Sequence, residues 1–217
     1  MFWNILLAHL TGDFLFQTEW MVKNRNKFWV LTLHVSIHLG LMLLLIGDFR
    51  SEYWSLITLL ALIHMGQDSL KITLVQKMPG RSFAAFVLDQ ILHVVIIGIF
   101  IWVFRMGGGT LFMSQKTVWV MIATAFLFVT YVWFISERVF YSSKPDYVLN
   151  INDTKFSRMI TRAGLVSAFL LVRAWAFPNL AMILTNPYTP SKYRQRAFLT
   201  DVSVSIIAMI FLFWALG

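Results

Sequence analysis

Residues 28–47 read FWVLTLHVSIHLGLMLLLIG, an uncharged apolar run that is interrupted by two histidines, His34 and His38. About 20 mostly apolar residues in a helix are enough to cross the hydrocarbon core of a bilayer. Ionisable side chains in such a helix are costly, so they normally face the interior of a helix bundle and mark a functional site. This stretch therefore predicts a membrane-spanning helix with a polar site on its inner face.

The composition of the whole chain indicates the same environment. The 217 residues are 59% hydrophobic and 13% charged, and the mean hydropathy is +0.72. Soluble domains are nearer half apolar and a quarter charged, which excludes a soluble globule and a disordered chain. The absence of cysteine excludes disulfides, Cys-ligated zinc, iron–sulfur clusters and thiol catalysis. The net charge is +8, and the basic residues lie between apolar runs. This placement favours lipid headgroups over nucleic acid as their partner.

The sequence predicts an all-α polytopic transmembrane helical bundle of six or seven helices in an integral membrane protein. The sixth helix contains Arg173 and Pro178, so we expect it to be kinked, broken or interfacial. The first lacks a basic region before it and a small-residue cleavage site after it, which predicts a retained helix and not a signal peptide. The predicted spans are Phe2–Met21, Phe28–Gly47, Tyr53–Val75, Ala84–Phe104, Thr117–Phe140, Arg162–Leu184 and Leu199–Leu216.

The chain divides into a predicted four-helix core at residues 1–104 and a segment of accessory helices at residues 105–217. A polar loop at 141–161 is predicted to join the accessory helices to one another. The accessory helices are predicted at about 117–140, 162–184 and 199–216. By the positive-inside rule, the basic loops after the first and third helices are cytoplasmic and the N-terminus is outside. These loops contain Lys23, Arg25, Lys27, Lys77 and Arg81. The basic stretch 185–198 contradicts a simple seven-helix version of this topology.

The most informative pattern is a set of four pairs of polar residues in the first four predicted spans. All five histidines lie in these spans, and each has a histidine or an aspartate four residues away. Such a pattern has a chance probability on the order of 10⁻⁵. Positions i and i+4 of a helix lie on one face about 6 Å apart, so each pair can chelate one ion or bridge two. The pairs are His9 and Asp13, His34 and His38, His64 and Asp68, and Asp89 and His93.

The four pairs are also predicted to lie at one depth. At 1.5 Å per residue, each pair lies roughly 8 to 20 Å from the helix end that is nearest a basic loop. Four antiparallel helices would therefore bring all eight side chains into one layer, in the half of the membrane near those loops.

Five imidazoles and three carboxylates suit Zn²⁺, Fe²⁺, Mn²⁺ or Ni²⁺ better than Ca²⁺ or Mg²⁺. Eight potential ligands are more than one tetrahedral zinc ion can bind. The cluster would therefore hold either two ions, or one ion with the other residues in support. We predict one or two divalent ions, with zinc favoured over iron and manganese. Such an ion would activate water and polarise a phosphoryl or acyl oxygen, with Asp13, Asp68 or Asp89 as general base.

Further polar residues lie on similar helix faces. Gln17, Gln67 and Gln90 are predicted to hold the ligands or the substrate through hydrogen bonds. Lys71 is predicted either to bind a phosphate or carboxylate headgroup and assist catalysis, or to extend to the membrane surface. The pair Glu137-Arg138 is predicted to face the headgroups.

Three functions fit this layer. The favoured hypothesis is a membrane-embedded metal-dependent hydrolase acting on a lipid-borne phosphoester, acyl or amide bond. A divalent-metal or proton-coupled transporter also uses intramembrane His and Asp side chains. The third is a non-enzymatic structural or lipid-binding protein in which the layer serves helix packing. A bis-histidine haem explains the three aspartates poorly. The predicted partners are the bilayer and a lipid substrate, and the oligomeric state is open.

The order of these motifs resembles the DUF3307 family, a group of bacterial multi-pass membrane proteins without an assigned activity. The match covers about residues 5–95, and residues 150–205 resemble the family more loosely. The resemblance implies a location in the bacterial inner membrane. The His-x3-Asp element is also similar to that of membrane-bound metal-dependent hydrolases of the YdjM type. The matching motifs are His9-x2-Gly12-Asp13-Phe14-x2-Gln17-Thr18-x-Trp20-Met21, His34-x3-His38, His64-x3-Asp68-x2-Lys71 and Asp89-Gln90-x2-His93.

Overall fold

The computed structural model describes residues 1–47, 50–77, 82–106, 115–172 and 189–216. Over these residues the protein is helical and has no strand, which confirms the all-α fold. The helices are α1 (Phe2–Thr11), α2 (Glu19–Asn24), α3 (Phe28–Ile46), α4 (Arg50–Lys77), α5 (Ser82–Met106), α6 (Gln115–Leu127), α7 (Trp133–Phe140), α8 (Pro145–Asp153), α9 (Lys155–Val172) and α10 (Ser191–Leu216). Two π turns, Gly12–Phe16 and Phe128–Val132, follow α1 and α6.

Four helical segments are long and apolar enough to cross a membrane, and they overlap the second, fourth, fifth and seventh predicted spans. They are Phe28–Ile46, Phe83–Val103, Thr117–Phe140 and Ser191–Ala215. Large apolar side chains on these segments point outward, and Trp214 is 83% exposed. Exposed apolar surface of this extent is typical of contact with lipid. The chain is therefore an integral membrane protein.

The first, third and sixth predicted spans differ from these four. The third lies inside α4, one continuous helix whose apolar run is interrupted by polar residues such as Gln67 and Asp68. The sixth begins in α9 and continues into residues 173–188, so Arg173 and Pro178 lie outside the described residues. The seventh matches the last of the four segments, but its helix, α10, begins earlier than predicted, at Ser191.

The prediction of one continuous helix over Phe2–Met21 is wrong. After the first π turn the backbone is extended at Gln17 and Thr18, with ψ of 96° and 157°. The Thr18 hydroxyl accepts a hydrogen bond of 3.3 Å from the backbone N–H of Met21. A threonine in this position caps the start of a helix, so a separate short helix, α2, begins at Glu19.

The predicted polar loop at 141–161 is also wrong, because most of this segment is helical. A short turn ends at Lys144, and α8 then begins with Pro145, whose fixed φ suits the first position of a helix. Tyr147 and Ile151 are buried four residues apart on one face of α8. They pack in a cluster with Phe134 and Met159, which stabilises α8.

The chain forms two compact units, Met1–Val120 (the first unit) and Met121–Gly217 (the second unit). The predicted four-helix segment, residues 1–104, lies wholly in the first unit. Its helix α1 packs on α3, α3 on α4, α4 on α5, and α5 again on α1, so the four helices close a ring. Near one end, the Asn4 amide donates a hydrogen bond of 2.5 Å to the carbonyl oxygen of Leu45.

Each unit has its own apolar core. In the first unit it lies between the four helices of the ring and includes Ile5, Val35, Met42, Ile57, Leu60, Ile97 and Ile101. In the second unit α9, α10 and the second π turn pack together. Their core includes Ala125, Val129, Leu165, Val166, Phe169, Ala208 and Leu212. The first unit contains all eight residues of the predicted layer.

Candidate metal centre

The eight predicted metal-ligating residues lie in the interior of the first unit. Helix α1 contributes His9, and the following π turn contributes Asp13. Two histidines come from α3, and α4 and α5 each contribute one histidine and one aspartate. All eight are buried, with between 1% and 9% of each residue exposed. The predicted His/Asp-lined core is therefore present.

The Asp13 carboxylate faces three imidazoles. Its Oδ1 lies 3.0 Å from Nε2 of His38 and 3.2 Å from Nε2 of His34. Its Oδ2 lies 3.7 Å from Nε2 of His9 and accepts a hydrogen bond of 3.2 Å from the Gln90 amide. Asp13 is placed there by the π turn, a rare widening of a helix that frequently occurs at functional sites.

Asp68 is the centre of a second set of imidazoles. Its Oδ2 lies 3.4 Å from Nε2 of His34 and 3.6 Å from Nε2 of His64. Its Oδ1 lies 3.9 Å from Nε2 of His93. Because His34 is close to both Asp13 and Asp68, the two carboxylates belong to one continuous cluster.

Asp89 has a different environment. Its Oδ2 lies 2.5 Å from the ammonium nitrogen of Lys71 and 3.2 Å from the Gln90 amide nitrogen, both of which donate hydrogen bonds to it. Its backbone carbonyl oxygen lies 2.8 Å from Nδ1 of His93. A carbonyl oxygen only accepts, so His93 Nδ1 carries the proton and the lone pair of Nε2 is directed into the cluster.

The Nε2 atoms of all five histidines are buried and lie 3.0 to 3.9 Å from carboxylate oxygens, but none makes a well-aligned hydrogen bond with the described residues. Buried polar atoms normally make such a bond, so five nitrogens without one in a single cluster require an explanation. Metal coordination is one, since neutral imidazole binds metal through such a nitrogen. Three groups of residues offer ligand atoms within 4.8 Å of one another: His9, Asp13, His38 and His64; His34, His64 and Asp68; and Asp68, Asp89 and His93.

The charge of the cluster leads to the same requirement for a cation. The three aspartates and the Lys71 ammonium together leave two negative charges if the imidazoles are neutral. Uncompensated charge in a buried intramembrane position is strongly unfavourable. A divalent cation, or protonation of two imidazoles, would restore neutrality.

Two cavities adjoin the cluster. The larger, a cleft, is lined by Arg25, Gln17, Lys71, His34 and Asp68 among other residues. The smaller has walls formed by four of the histidines and by apolar side chains such as Met42 and Ile97. The cluster is therefore reachable from the larger cleft through His34 and Asp68.

The predicted supporting residues differ in their contacts. Gln90 donates hydrogen bonds to two aspartates, as described above. Gln67 lines the smaller cavity, and its amide nitrogen has no hydrogen-bond partner among the residues that the structure describes. Gln17 lies at the break before α2 and lines the larger cleft. Lys71, with 23% of its side chain exposed, pairs with Asp89.

Sequence reasoning gave no role to Gly12, although this residue limits how closely His38 can approach. A Cβ atom at Gly12 would lie 2.5 Å from both Cε1 and Nε2 of His38. The backbone φ of Gly12 is −60°, so the need for glycine here is one of space and not of conformation. The position of Gly12 directly before Asp13 was the only available signal.

The second unit contains a buried network of charges that the sequence did not reveal. Glu137, predicted to face the headgroups, is 4% exposed, which makes that prediction wrong for this residue. It accepts hydrogen bonds from Tyr147 at 3.0 Å and from Arg158 at 3.1 Å. Arg158 also binds Asp201 at 2.7 to 3.2 Å, and Arg162 donates to the same carboxylate at 3.1 Å.

This network cross-links helices of the second unit. Burial, together with the neighbouring Glu137 carboxylate, raises the pKa of the Tyr147 hydroxyl, which therefore stays a hydrogen-bond donor. Two acidic and two basic residues balance each other's charge, which indicates a structural role. A charged residue inside a predicted span, such as Asp201, was the available signal.

Comparison with known proteins identifies the family and leaves the activity open. No curated protein and no solved structure matches the chain. The likeness to YdjM-type hydrolases stays a prediction. The family model described as "Protein of unknown function (DUF3307)" matches residues 1–131, which is more than half of the chain and includes all eight residues of the cluster. The chain therefore belongs to the DUF3307 family.

Proposed function

We propose that the protein is a membrane-embedded, metal-dependent hydrolase that acts on a lipid-borne phosphoester, acyl or amide bond. The observation that carries this proposal is the convergence of five buried imidazole nitrogens on the carboxylates of Asp13 and Asp68, in a cluster of which His34 and Asp68 line a cleft. The family resemblance supports the bacterial inner membrane as its location.

The ligand groups favour one or two ions. His9, Asp13, His38 and His64 offer two kinds of ligand atom in a number that suits tetrahedral zinc, and iron or manganese accepts the same atoms. The other two groups share Asp68 with each other, so they supply one further position between them. Gln90 fixes the orientation of Asp13 and Asp89, which is the usual task of residues behind a metal ligand.

The three aspartates differ in their suitability as general base. Asp13 is surrounded by three imidazoles and an amide, and Asp89 is paired with Lys71. Asp68 forms part of the wall of the larger cleft, so its carboxylate can reach a water molecule or a substrate there. With one ion at the first group, we assign the role of base to Asp68 and those of ligand or ligand support to Asp13 and Asp89; a second ion would take Asp68 as a ligand instead.

The metal ion supplies polarisation of the scissile carbonyl or phosphoryl bond and activation of water. The side chains around it bind and orient the substrate. Lys71 lines the cleft close to Asp68 and offers positive charge to a negatively charged group. The cluster lies inside a ring of apolar helices, so its substrate would approach from the membrane.

The test begins with metal analysis by plasma mass spectrometry on protein purified in detergent without nickel resin. We expect one or two zinc, iron or manganese ions per chain. Hydrolysis is then measured on short-chain phosphatidic acid, a short-chain diacylglycerol and an N-acyl amino acid, which present the three kinds of bond. Absence of metal, even after incubation with zinc, would exclude this function.

A transporter is the second candidate, and the presence of two cavities beside the same cluster favours it. The larger cleft reaches His34 and Asp68, whereas the smaller cavity has walls formed by the other four histidines. A site that contacts two separate cavities suits alternating access. Hydrolysis proceeds in detergent, whereas transport requires sealed vesicles, so flux without hydrolysis would favour the transporter.

A further inference from the structure

We infer that the larger cleft binds an anionic phosphate or phosphonate group, and that Arg25 is the residue that recognises it. This inference names the substrate class of the site under the proposed function, and it rests on that function only in placing the reacting bond at the His/Asp cluster. Recognition of the anion is a separate property of the cleft.

The cleft is lined by both polar and apolar side chains. Arg25 and Gln17 lie on the side of α2, and Lys71 lies on α4, beside the cluster residues His34 and Asp68. Met21, Val30 and Leu31 supply apolar wall between these polar groups. A molecule with an anionic group and an apolar part therefore finds complementary surfaces in one cleft.

The two cations of the cleft have different partners. The Lys71 ammonium is matched by the Asp89 carboxylate at 2.5 Å. The half-buried Arg25 guanidinium has no hydrogen-bond or ion-pair partner among the described residues. A guanidinium presents a planar fork of N–H donors that fits the oxygens of a phosphate. Arg25 therefore has unused donors in the lining of a cleft that already contains a second positive charge.

Two exposed tryptophans beside residues of the cleft indicate a position at headgroup depth. Trp20 lies on α2 next to the cleft residue Met21, and Trp29 lies at the start of α3 next to Val30. Their rings pack 5.3 Å apart, and the residues are 47% and 55% exposed. Tryptophan is enriched at the membrane–water interface. An anionic group at this level is either a lipid headgroup or a soluble phosphate ester, and both have the same oxygens.

The test uses isothermal titration calorimetry on the full-length, metal-loaded protein in a neutral detergent. Octylphosphonate carries the anion on an apolar chain and has no ester to cleave, methylphosphonate carries the anion alone, and octyl phosphocholine is the zwitterionic control. We expect Arg25→Ala to weaken binding of octylphosphonate by about tenfold or more, and Arg25→Lys to weaken it less. The matched control is Lys23→Ala, which removes the same charge from an exposed position on α2 and should change binding by less than about twofold.

Equal binding of octylphosphonate by the wild-type protein, Arg25→Ala and Lys23→Ala would overturn the inference. Equal weakening in the two alanine variants would overturn it too, because the effect would then be one of net charge. With the expected result, tighter binding of octylphosphonate than of methylphosphonate assigns the anion to a lipid, and equal binding assigns it to a soluble ester. Metal content separates the two proposals: a metal-free wild type that still binds through Arg25 refutes only the hydrolase.

Discussion

Replacing Gly12 with alanine should damage the His/Asp cluster without touching a ligand. The new methyl group would lie 2.5 Å from Cε1 and Nε2 of His38 and 2.8 Å from its Cδ2. Carbon atoms in ordinary contact are about 3.5 Å apart, so the ring must move by roughly 1 Å. His38 has little freedom to do so, because the rings of His34 and His64 lie 4.5 and 4.2 Å away, centroid to centroid.

The size of the effect follows from this displacement. Forcing a methyl group into a packed interior typically destabilises a protein by about 1 to 3 kcal/mol, against which the higher helix propensity of alanine returns at most about 1 kcal/mol. Metal ligands tolerate a shift of only about 0.2 Å from their preferred distance. A ring displaced by roughly 1 Å therefore leaves the coordination sphere, and we expect metal affinity to fall by about tenfold or more.

The assay compares Gly12→Ala with Gly40→Ala and Gly66→Ala, where a new Cβ has no neighbour within 4 Å. Metal content and the midpoint of thermal unfolding in detergent are measured for all three variants. We expect both control variants to match or slightly exceed the wild type, because alanine favours a helix. If Gly12→Ala binds metal as tightly as the controls and unfolds at the same temperature, the assignment of His38 to the metal centre is refuted.

Three further predictions concern the two buried clusters. His64→Ala and Asp68→Asn should each lower metal content and hydrolysis. The control Asp153→Asn, on an exposed position, should match the wild type. Full metal content and activity in both cluster variants would contradict the proposed function. Removing metal with a chelator should lower the midpoint of thermal unfolding, and added zinc should restore that midpoint. The reason is that a ligand that binds only the folded state stabilises this state. An unchanged midpoint would count against a bound ion. Asp201→Asn should destabilise the protein by about 3 to 5 kcal/mol, because Arg158 and Arg162 lose the charge that compensates them, and an unfolding midpoint equal to that of Asp153→Asn would exclude this role.

The His/Asp cluster could be predicted because helical geometry carries local sequence spacing directly into space. Residues four apart, such as His64 and Asp68, must share a face of any helix that contains them. The rise per residue then fixes their depth, and α5 packing on α1 brings distant pairs together. What spacing could not provide was the order of contacts inside the cluster, such as the position of His34 between Asp13 and Asp68.

The wrong predictions concern segments in which the overall composition concealed a local pattern. The apolar run of the first predicted span concealed the cap formed by Thr18, which ends one helix and starts the next. The polar character of residues 141–161 concealed the i, i+4 spacing of Tyr147 and Ile151 on α8. The contacts of Arg158 with Glu137 and Asp201 join residues 21 and 43 positions apart, and a single sequence contains no local signal for such pairing.

The closed ring of α1, α3, α4 and α5 has a consequence for biosynthesis. Gln90 on α5 binds Asp13, 77 residues earlier in the chain, and His93 packs against His9 at 4.7 Å between ring centroids. When α1 and the π turn after it first enter the bilayer, the partners of the Asp13 carboxylate on α5 have not yet been translated. The nascent chain must keep Asp13 protonated or hydrated during this interval. Under the proposed function, an ion would enter the complete cluster only after insertion, once the fourth helix of the ring has arrived.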